Sequence, residues 1–406
     1  MKDYKTFIDN TMKTLVKDQK ITVSEIMCTA MESLMEAERT MFLEYEHGQR
    51  TSKSFLGTDN KRNGYYQSFV SSLSGKMDIR VPRDRKGIFT PLTLELIKQD
   101  SDRMNELSLL LYSKGLSTRS IEKVMKDIFK TNYSPQRVSS LVKEFQKVRE
   151  KWQLGKIDSQ YHAIVLDAVH INIRRDTVEK EAIYIAIGLK EDFSREILGI
   201  YNIPQESALG WEEVMEDLRK RGLEKVSLFL CDECSGIEKA ISKSFPGSMI
   251  QFCIVHKARN IGKVVRASLK KQIMEEFKNV FDLNEISSSE EKVLSRLESF
   301  VVRWEKQYPK IRNMFPERKL DKFAKYTHFP FTVRRMFYTT NWIERLNKEI
   351  RKVTRHTNSF PNPDSAMNLV FMVAMDMEKR TYSRPIANFF SVKEEMNRIL
   401  NNPHDL

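Results

Sequence analysis

Nowhere in this chain of 406 residues is there an apolar run long enough for a bilayer-spanning helix, which needs roughly 20 residues. No membrane partner is predicted. Cysteine is scarce, with only Cys28, Cys231, Cys234 and Cys253, and this excludes a disulfide framework. The opening stretch MKDYKTFIDNTMKTLVKD has neither the apolar core nor the cleavage site of an export signal, so a cytoplasmic location is expected. Acidic residues fall short of basic ones, 55 against 68, leaving a net charge of +13. That excess points to a polyanionic partner, although a basic soluble surface produces the same count. The 40% hydrophobic content suffices for ordinary cores, and the length suits two or three domains.

Periodicity organises the chain. Ile26, Met27, Ala30, Met31, Leu34 and Met35 recur at three- and four-residue steps, so residues 1–55 read as helical, with an amphipathic core helix over 23–45. Residues 57–91 are rich in Gly, Ser, Asn and charge and read as a linker with small β pieces. MDIRVPRD is a short edge strand ended by Pro82. A helix from Asn105 stops at Gly115, Ser117 caps a second helix, and Ser134 with Pro135 opens a third. This is the layout of a helix-turn-helix, or equally of a plain three-helix bundle. In the first case its recognition helix would offer Gln136, Arg137, Ser139 and Ser140 to the major groove. From residue 160 the pattern becomes three strands (162–174, 181–190, 195–203), a helix, a strand (226–231), a helix and a strand (249–255). That order predicts an α/β, ribonuclease-H-like mixed-sheet core. Residues 257–335 read as an all-α insertion.

Three acids stand out. Asp167 interrupts the apolar run HAIVLDAVHINIR, Asp232 follows VSLFLC, and Glu344 lies in the first turn of the basic helix TTNWIERLNKEIRKVTR. A charge among Ile164, Val165, Leu166 and Val169 is costly unless paired or bound to metal. In the predicted topology the first and fourth strands are neighbours, so Asp167 and Asp232 would meet. Two carboxylates at strand ends and one from a distant helix can hold paired Mg²⁺ (or Mn²⁺) ions about 3.5–4 Å apart around a scissile phosphate. Lys348, Arg351 and Arg355 follow Glu344 on one helix face and suit a DNA backbone, with His256, Lys257 and Arg259 as further donors.

A rival reading uses the same segment. Cys231-x2-Cys234 and Cys253-x2-His256 have the spacing of a Cys3His zinc site. A zinc-containing DNA-binding regulator without catalysis would follow. Cys231 ends a buried apolar run, however, whereas such knuckles usually sit in tight turns, so oxygen-bound magnesium is preferred.

NGYYQS, RVPRDRKG, LYSKGLSTRSIEKVM, SPQRVS, LDAVHINIR, RGLEKVSLFLCDECSGIEKAI, QFCIVHKARNI and YTTNWIERLNKEIRKVTR follow one another in order. In this the chain resembles the Mutator-type transposases of bacterial insertion sequences, over about residues 36–362. The resemblance implies a DDE transposase, nucleoid-associated, with Asp167, Asp232 and Glu344 as its catalytic, metal-binding acids. It implies Cys253 and His256 beside the active site, and Trp304 at the transposon end. Its partners would be double-stranded DNA, both transposon ends and target, and a second copy of the chain, since two ends must be joined. The implied layout is a helical N-terminal region and linker (1–100), a helix-turn-helix domain (101–150) and the first part of the catalytic core (160–256). The insertion (257–335) and a C-terminal helix and tail (336–406) complete it. A repair nuclease on the same fold would share the acids. The family usually shows Ser-Asp-Gly at the second acid, whereas this chain has Cys231-Asp232-Glu233.

Overall fold

Apolar residues at helical spacing make α1 (Val23–Leu43) an amphipathic helix, with Met27, Met31 and Met35 packed against a β-ribbon. The computed structural model describes residues 23–43, 60–72, 75–129, 131, 133–203, 208–355 and 357–401; the rest of the helical expectation for 1–55 lies outside them. The chain divides into two compact units, 1–144 and 145–406.

In the first unit the ribbon is longer than the small β pieces expected. Strands β1 (Arg62–Ser72) and β2 (Gly75–Asp84) pair antiparallel, and Pro82 lies inside β2 rather than ending it. A register irregularity between Arg62 and Tyr65, opposite Pro82, relaxes the ladder where proline has no N–H to give. Met77, Ile79 and Val81 alternate into the core. Helix α2 (Leu92–Ser113) starts well before Asn105, and α3 (Thr118–Phe129) and α4 (Pro135–Gln153) follow. The caps are those the sequence indicated: Ser120 N–H donates to Ser117 Oγ at 3.1 Å, and Arg137 N–H to Ser134 Oγ at 3.2 Å. Met104, Ile121, Met125, Tyr133 and Val138 form the core of these helices.

The second unit is a mixed α/β body. Strands β3 (Gln160–Arg174), β4 (Val178–Leu189) and β5 (Arg195–Ile203) are antiparallel neighbours. After α5 (Ala208–Lys220), strand β6 (Lys225–Cys231) pairs parallel with β3. After α6 (Ile237–Ser244), strand β7 (Met249–Phe252) pairs parallel with β6. The order across the sheet is β5-β4-β3-β6-β7. Strand β7 stops at Phe252 because Ile254 and Val255 open α7 (Ile254–Val264), with buried Ile254 and Ile261 holding it to the core.

Helices α8 (Ala267–Val280), α9 (Glu290–Glu305), α10 (Pro309–Met314) and α11 (Phe331–Phe337) follow, with 3₁₀ turns at 317–323 and 325–328. The chain then forms α12 (Asn341–Thr354), α13 (Pro363–Met377) and α14 (Lys393–Asn401). The helical stretch shares one core with the sheet: Leu228, Phe252, Phe277, Trp304 and Phe337 belong to a single apolar cluster. Among the described residues no helix is long and apolar enough to cross a membrane.

Candidate active site

Successive residues of a strand point to opposite faces. Leu166 on β3 and Cys231 at the end of β6 are direct partners in the parallel ladder, and both side chains enter the core. Asp167 and Asp232, one step further along each chain, therefore lie beside each other on the opposite face. A cleft of about 400 Å³ opens there, lined by Asp167, Asp232, His256, Asn260, Lys263 and Arg351.

Two helices complete the site. His256, in the first turn of α7, places Nδ1 2.5 Å from Asp232 Oδ1, an ion pair by distance although the atoms are not aligned as a hydrogen bond. Its Nε2 lies 3.6 Å from Glu344 Oε1 on α12. Arg259 Nη1 donates to Glu344 Oε1 at 2.6 Å and lies 3.1 Å from His256 Nε2. Asp167 and Asp232 thus share one cleft, while Glu344, from a third distant segment, approaches Asp232 across His256 and Arg259.

The electrostatics follow from crowding. Burial, then the facing charge of Asp232, pushes the Asp167 carboxyl well above the usual carboxylate range, against weaker opposition from the Ala168 N–H, His256 and Arg351. For His256, burial opposes protonation, but contacts with Asp232 and Cys253 outweigh it and carry its pKa up to about 10. At neutral pH a cation therefore stands beside Asp232.

Asn347 was not a sequence candidate, yet it touches the first acid. Only 1% exposed, it donates from Nδ2 to Asp167 Oδ2 at 2.7 Å. It lies three residues beyond Glu344, hence on the same face of α12. That spacing was the available signal. One side of a single helix thus carries both an acid and the group that orients another.

The four zinc ligands suggested by spacing do not converge. Among the described residues, the one cluster with metal-ligand geometry is Asp232, Cys253 and His256, whose donor atoms lie within 4.8 Å of one another. Cys231 and Cys234 stand outside it, and so do Asp167 and Glu344, so Asp232 is the one expected metal-binding acid within it. Burial, reinforced by Cys234 and Asp232, holds the Cys231 thiol well above its ordinary pKa. Thr340 Oγ1 donates to Cys253 Sγ at 3.3 Å, tying α12 to the start of α7.

The other candidates divide by exposure. Gln136, Ser139, Ser140, Arg259, Lys348, Arg351 and Arg355 are exposed. Arg137 lies over the Tyr133 ring at 4.4 Å and donates to Asn105 at 3.2 Å. Lys257 is 6% exposed; it pairs with Glu233 and sits 5.1 Å from both the Phe315 and Phe323 rings. Trp304 is buried and donates from Nε1 to Glu276 at 2.8 Å. Glu233, the departure from Ser-Asp-Gly, does not face the other acids alone. Lys257 and Lys319 share its carboxylate, the latter at 3.1 Å.

The family profile described as "Transposase, Mutator family" matches residues 3–383. The transposase for insertion sequence element IS1201 of Lactobacillus helveticus is 33% identical over 374 residues, covering 92% of this chain and 99% of that protein. The transposase for IS905 of Lactococcus lactis subsp. lactis (strain IL1403) is 30% identical, covering 83% and 84% respectively. The transposase for IS256 in transposon Tn4001 of Staphylococcus aureus is 29% identical, covering 94% and 96%. The chain belongs to the Mutator family of transposases. Such a family implies a DNA-cutting and DNA-joining enzyme.

Proposed function

We propose that this chain is a DDE transposase. It binds the terminal inverted repeats of its insertion sequence and performs strand cleavage and transfer with two Mg²⁺ (or Mn²⁺) ions held by Asp167, Asp232 and Glu344. The observation that carries this reading is the side-by-side placement of Asp167 and Asp232 where β3 and β6 run parallel, with Glu344 joined to them through His256 and Arg259. The strand order β5-β4-β3-β6-β7 supports a ribonuclease-H-like core within 160–256. On this reading it is interrupted by the helical insertion 257–335 and completed by 336–406. The end of α2 followed by the capped helices α3 and α4 supports a helix-turn-helix within 101–150, preceded by the N-terminal region 1–100.

Three carboxylates are the donor type that hard divalent cations favour. Of the three, Asp232 alone belongs to the cluster with ligand spacing among the described residues, and Glu344 is paired with Arg259, so binding two ions would draw Asp167 and Glu344 towards Asp232. The raised Asp167 carboxyl reflects burial first and the facing Asp232 second, a perturbation typical of a functional acid. Bound ions would polarise the scissile phosphate and lower the pKa of the attacking hydroxyl. The chain's own groups orient and balance the site. Asn347 fixes Asp167 Oδ2, His256 as a cation steadies Asp232, and Arg259 holds Glu344. Arg351 lines the cleft, and with Lys348 and Arg355 on its helix face it would grip the DNA backbone without reading sequence. Gln136, Ser139 and Ser140 are open to base edges, whereas Arg137, Lys257 and Trp304 are engaged inside the protein.

The test is cleavage of labelled duplexes carrying the element end, with Mg²⁺ and with EDTA. Asp167→Asn, Asp232→Asn and Glu344→Gln should each bind the duplex and fail to cut it. Undiminished cleavage in all three refutes the reading. Cleavage without joining or end preference would instead mark a repair nuclease.

A further inference from the structure

The motif RVPRDRKG is not used by the site above, yet the structure builds it with care. Asp84 closes β2 and is the sole acid among residues 79–89. It is buried, and its carboxylate is spent on the chain itself. Oδ2 accepts from Asn60 Nδ2 at 2.7 Å and from Ile88 N–H at 3.1 Å, and Oδ1 accepts from Phe89 N–H at 3.1 Å. Burial alone would raise this carboxyl, but these bonds outweigh it and hold the pKa below the usual range. Buried Asn60 completes the frame, its Oδ1 accepting from Lys61 N–H at 3.0 Å and Lys86 N–H at 3.1 Å. Arg85 N–H donates to Lys61 C=O at 2.7 Å. Gly87 takes φ +69°, a left-handed conformation that glycine adopts without strain.

From the other side, fully buried Arg39 donates to the carbonyls of Gly64 and Arg83, each at 2.9 Å, and so pins both strands at this end of the ribbon. A loop whose backbone is bonded at five points keeps its side chains in a fixed outward array. That array is cationic. Lys61, Arg83, Arg85 and Lys86 are exposed, and none has an ion-pair partner among the described residues. The Arg83 guanidinium lies 5.9 Å from the half-exposed Tyr66 ring. A solvated basic surface usually mixes signs, as the Lys220–Glu216 and Lys352–Glu349 pairs do elsewhere. Within 79–89 the one acid is withdrawn into the frame, leaving Arg83, Arg85 and Lys86 as like charges on one short loop, with Lys61 tied to it by the Arg85 N–H bond to its carbonyl. That is unfavourable alone and complementary to a run of phosphates.

We propose that the loop at the base of the β1–β2 ribbon, presenting Lys61, Arg83, Arg85 and Lys86, is a sequence-independent clamp for the phosphate backbone of duplex DNA, formed by residues other than those of the proposed helix-turn-helix and catalytic site. The inference rests on the reading of the chain as a DNA-binding transposase and adds a contact to it. Its charges act as phosphate counter-ions, so the contact should carry affinity and salt dependence but no base preference.

The experiment uses the full chain and two labelled duplexes, one with the element end and one unrelated, titrated by fluorescence anisotropy between 50 and 200 mM salt. The variant Lys61→Gln/Arg83→Gln/Arg85→Gln/Lys86→Gln should bind both duplexes more weakly. Its slope of log affinity against log salt should be shallower by about 3 to 4, since each lost phosphate contact removes about 0.9. The wild-type advantage should therefore shrink by about 100-fold across that salt range on both duplexes. The charge-preserving variant Arg83→Lys/Arg85→Lys/Lys86→Arg should keep the wild-type slope, and it controls for folding together with circular dichroism. An unchanged slope in the glutamine variant overturns the clamp, as does loss of slope in the charge-preserving one. Wild-type protein that binds neither duplex would overturn the DNA-binding reading itself, a distinct result.

Discussion

Replacing Asn347 by leucine tests whether the first acid is oriented from the helix that carries the third. The change keeps side-chain size and removes the Nδ2 donor held 2.7 Å from Asp167 Oδ2. Asn347 Oδ1 is itself buried without a partner, so the substitution also removes an unsatisfied acceptor, and the fold should tolerate it. The carboxylate loses more. A hydrogen bond to a charged group contributes about 1.5–3 kcal/mol, and each pKa unit corresponds to about 1.36 kcal/mol. The Asp167 carboxyl, already raised by burial and by Asp232, should therefore rise further. A proton then competes better with a divalent cation. The Mg²⁺ concentration for half-maximal cleavage at neutral pH should increase about 10- to 100-fold, the usual cost of losing a group that orients a metal ligand. Raising the pH should restore much of the loss, because the carboxylate is regained. The assay is cleavage of an end-labelled duplex across Mg²⁺ concentration at several pH values, with Mn²⁺ binding measured by calorimetry. A variant whose Mg²⁺ requirement stays within threefold of wild type at every pH refutes the reasoning.

Three further outcomes follow from the same structure. Asp167→Asn should abolish cleavage yet melt at a higher temperature than metal-free wild type. An acid whose folded pKa is raised contributes stability below its unfolded pKa and loses it as pH rises, so the variant's advantage should grow between about pH 4 and pH 7 and be flat if Asp167 is unperturbed. His162 is buried on Phe193, with ring centroids 5.2 Å apart, and burial pushes its pKa down from 6.5 to about 4. The unfolded chain binds that proton first, so stability falls as pH drops through this window, by about 3 kcal/mol at the lower end. In chemical denaturation at pH 7 and pH 4, His162→Phe should spare about that amount, and an equal acid loss in both proteins would contradict it. Glu233→Gln removes the counter-charge of buried Lys257 and should cost about 1–3 kcal/mol, less than a fully buried pair because Glu233 is partly exposed. Lys257→Met in the same chain should recover most of it, and strictly additive losses in the double-mutant cycle would show that the two side chains are not coupled.

Much of this architecture is legible in residue order because its signals are local. Ser117 and Ser134 cap their helices because a hydroxyl beside a first turn meets free N–H groups whatever lies elsewhere. Strands β3 to β7 are legible as apolar runs, three in succession and two separated by helical periodicity. The ribbon was underestimated because RNGYYQSFVSS is polar, and its pairing with β2 and packing on α1 hold it as a strand where propensity is weak. Asn347 escaped notice because an asparagine in a helix has many unremarkable fates. Lys257 and Trp304 look like exposed binding groups in the sequence, but the aromatic cluster and Glu276 enclose them.

Sequence by itself determined the class of elements, the three acids, the basic excess and the motif order, since each depends on residues close together along the chain. Only the tertiary structure decided that Leu166 lies opposite Cys231, so that both acids emerge on one face. It also decided that Cys231 turns into the core, leaving Asp232, Cys253 and His256 as the cluster. These outcomes depend on strand register and helix placement. Both are selected by burying apolar surface across segments far apart in the chain, and a slip of one residue in either strand would send its carboxylate to the opposite face, away from the other.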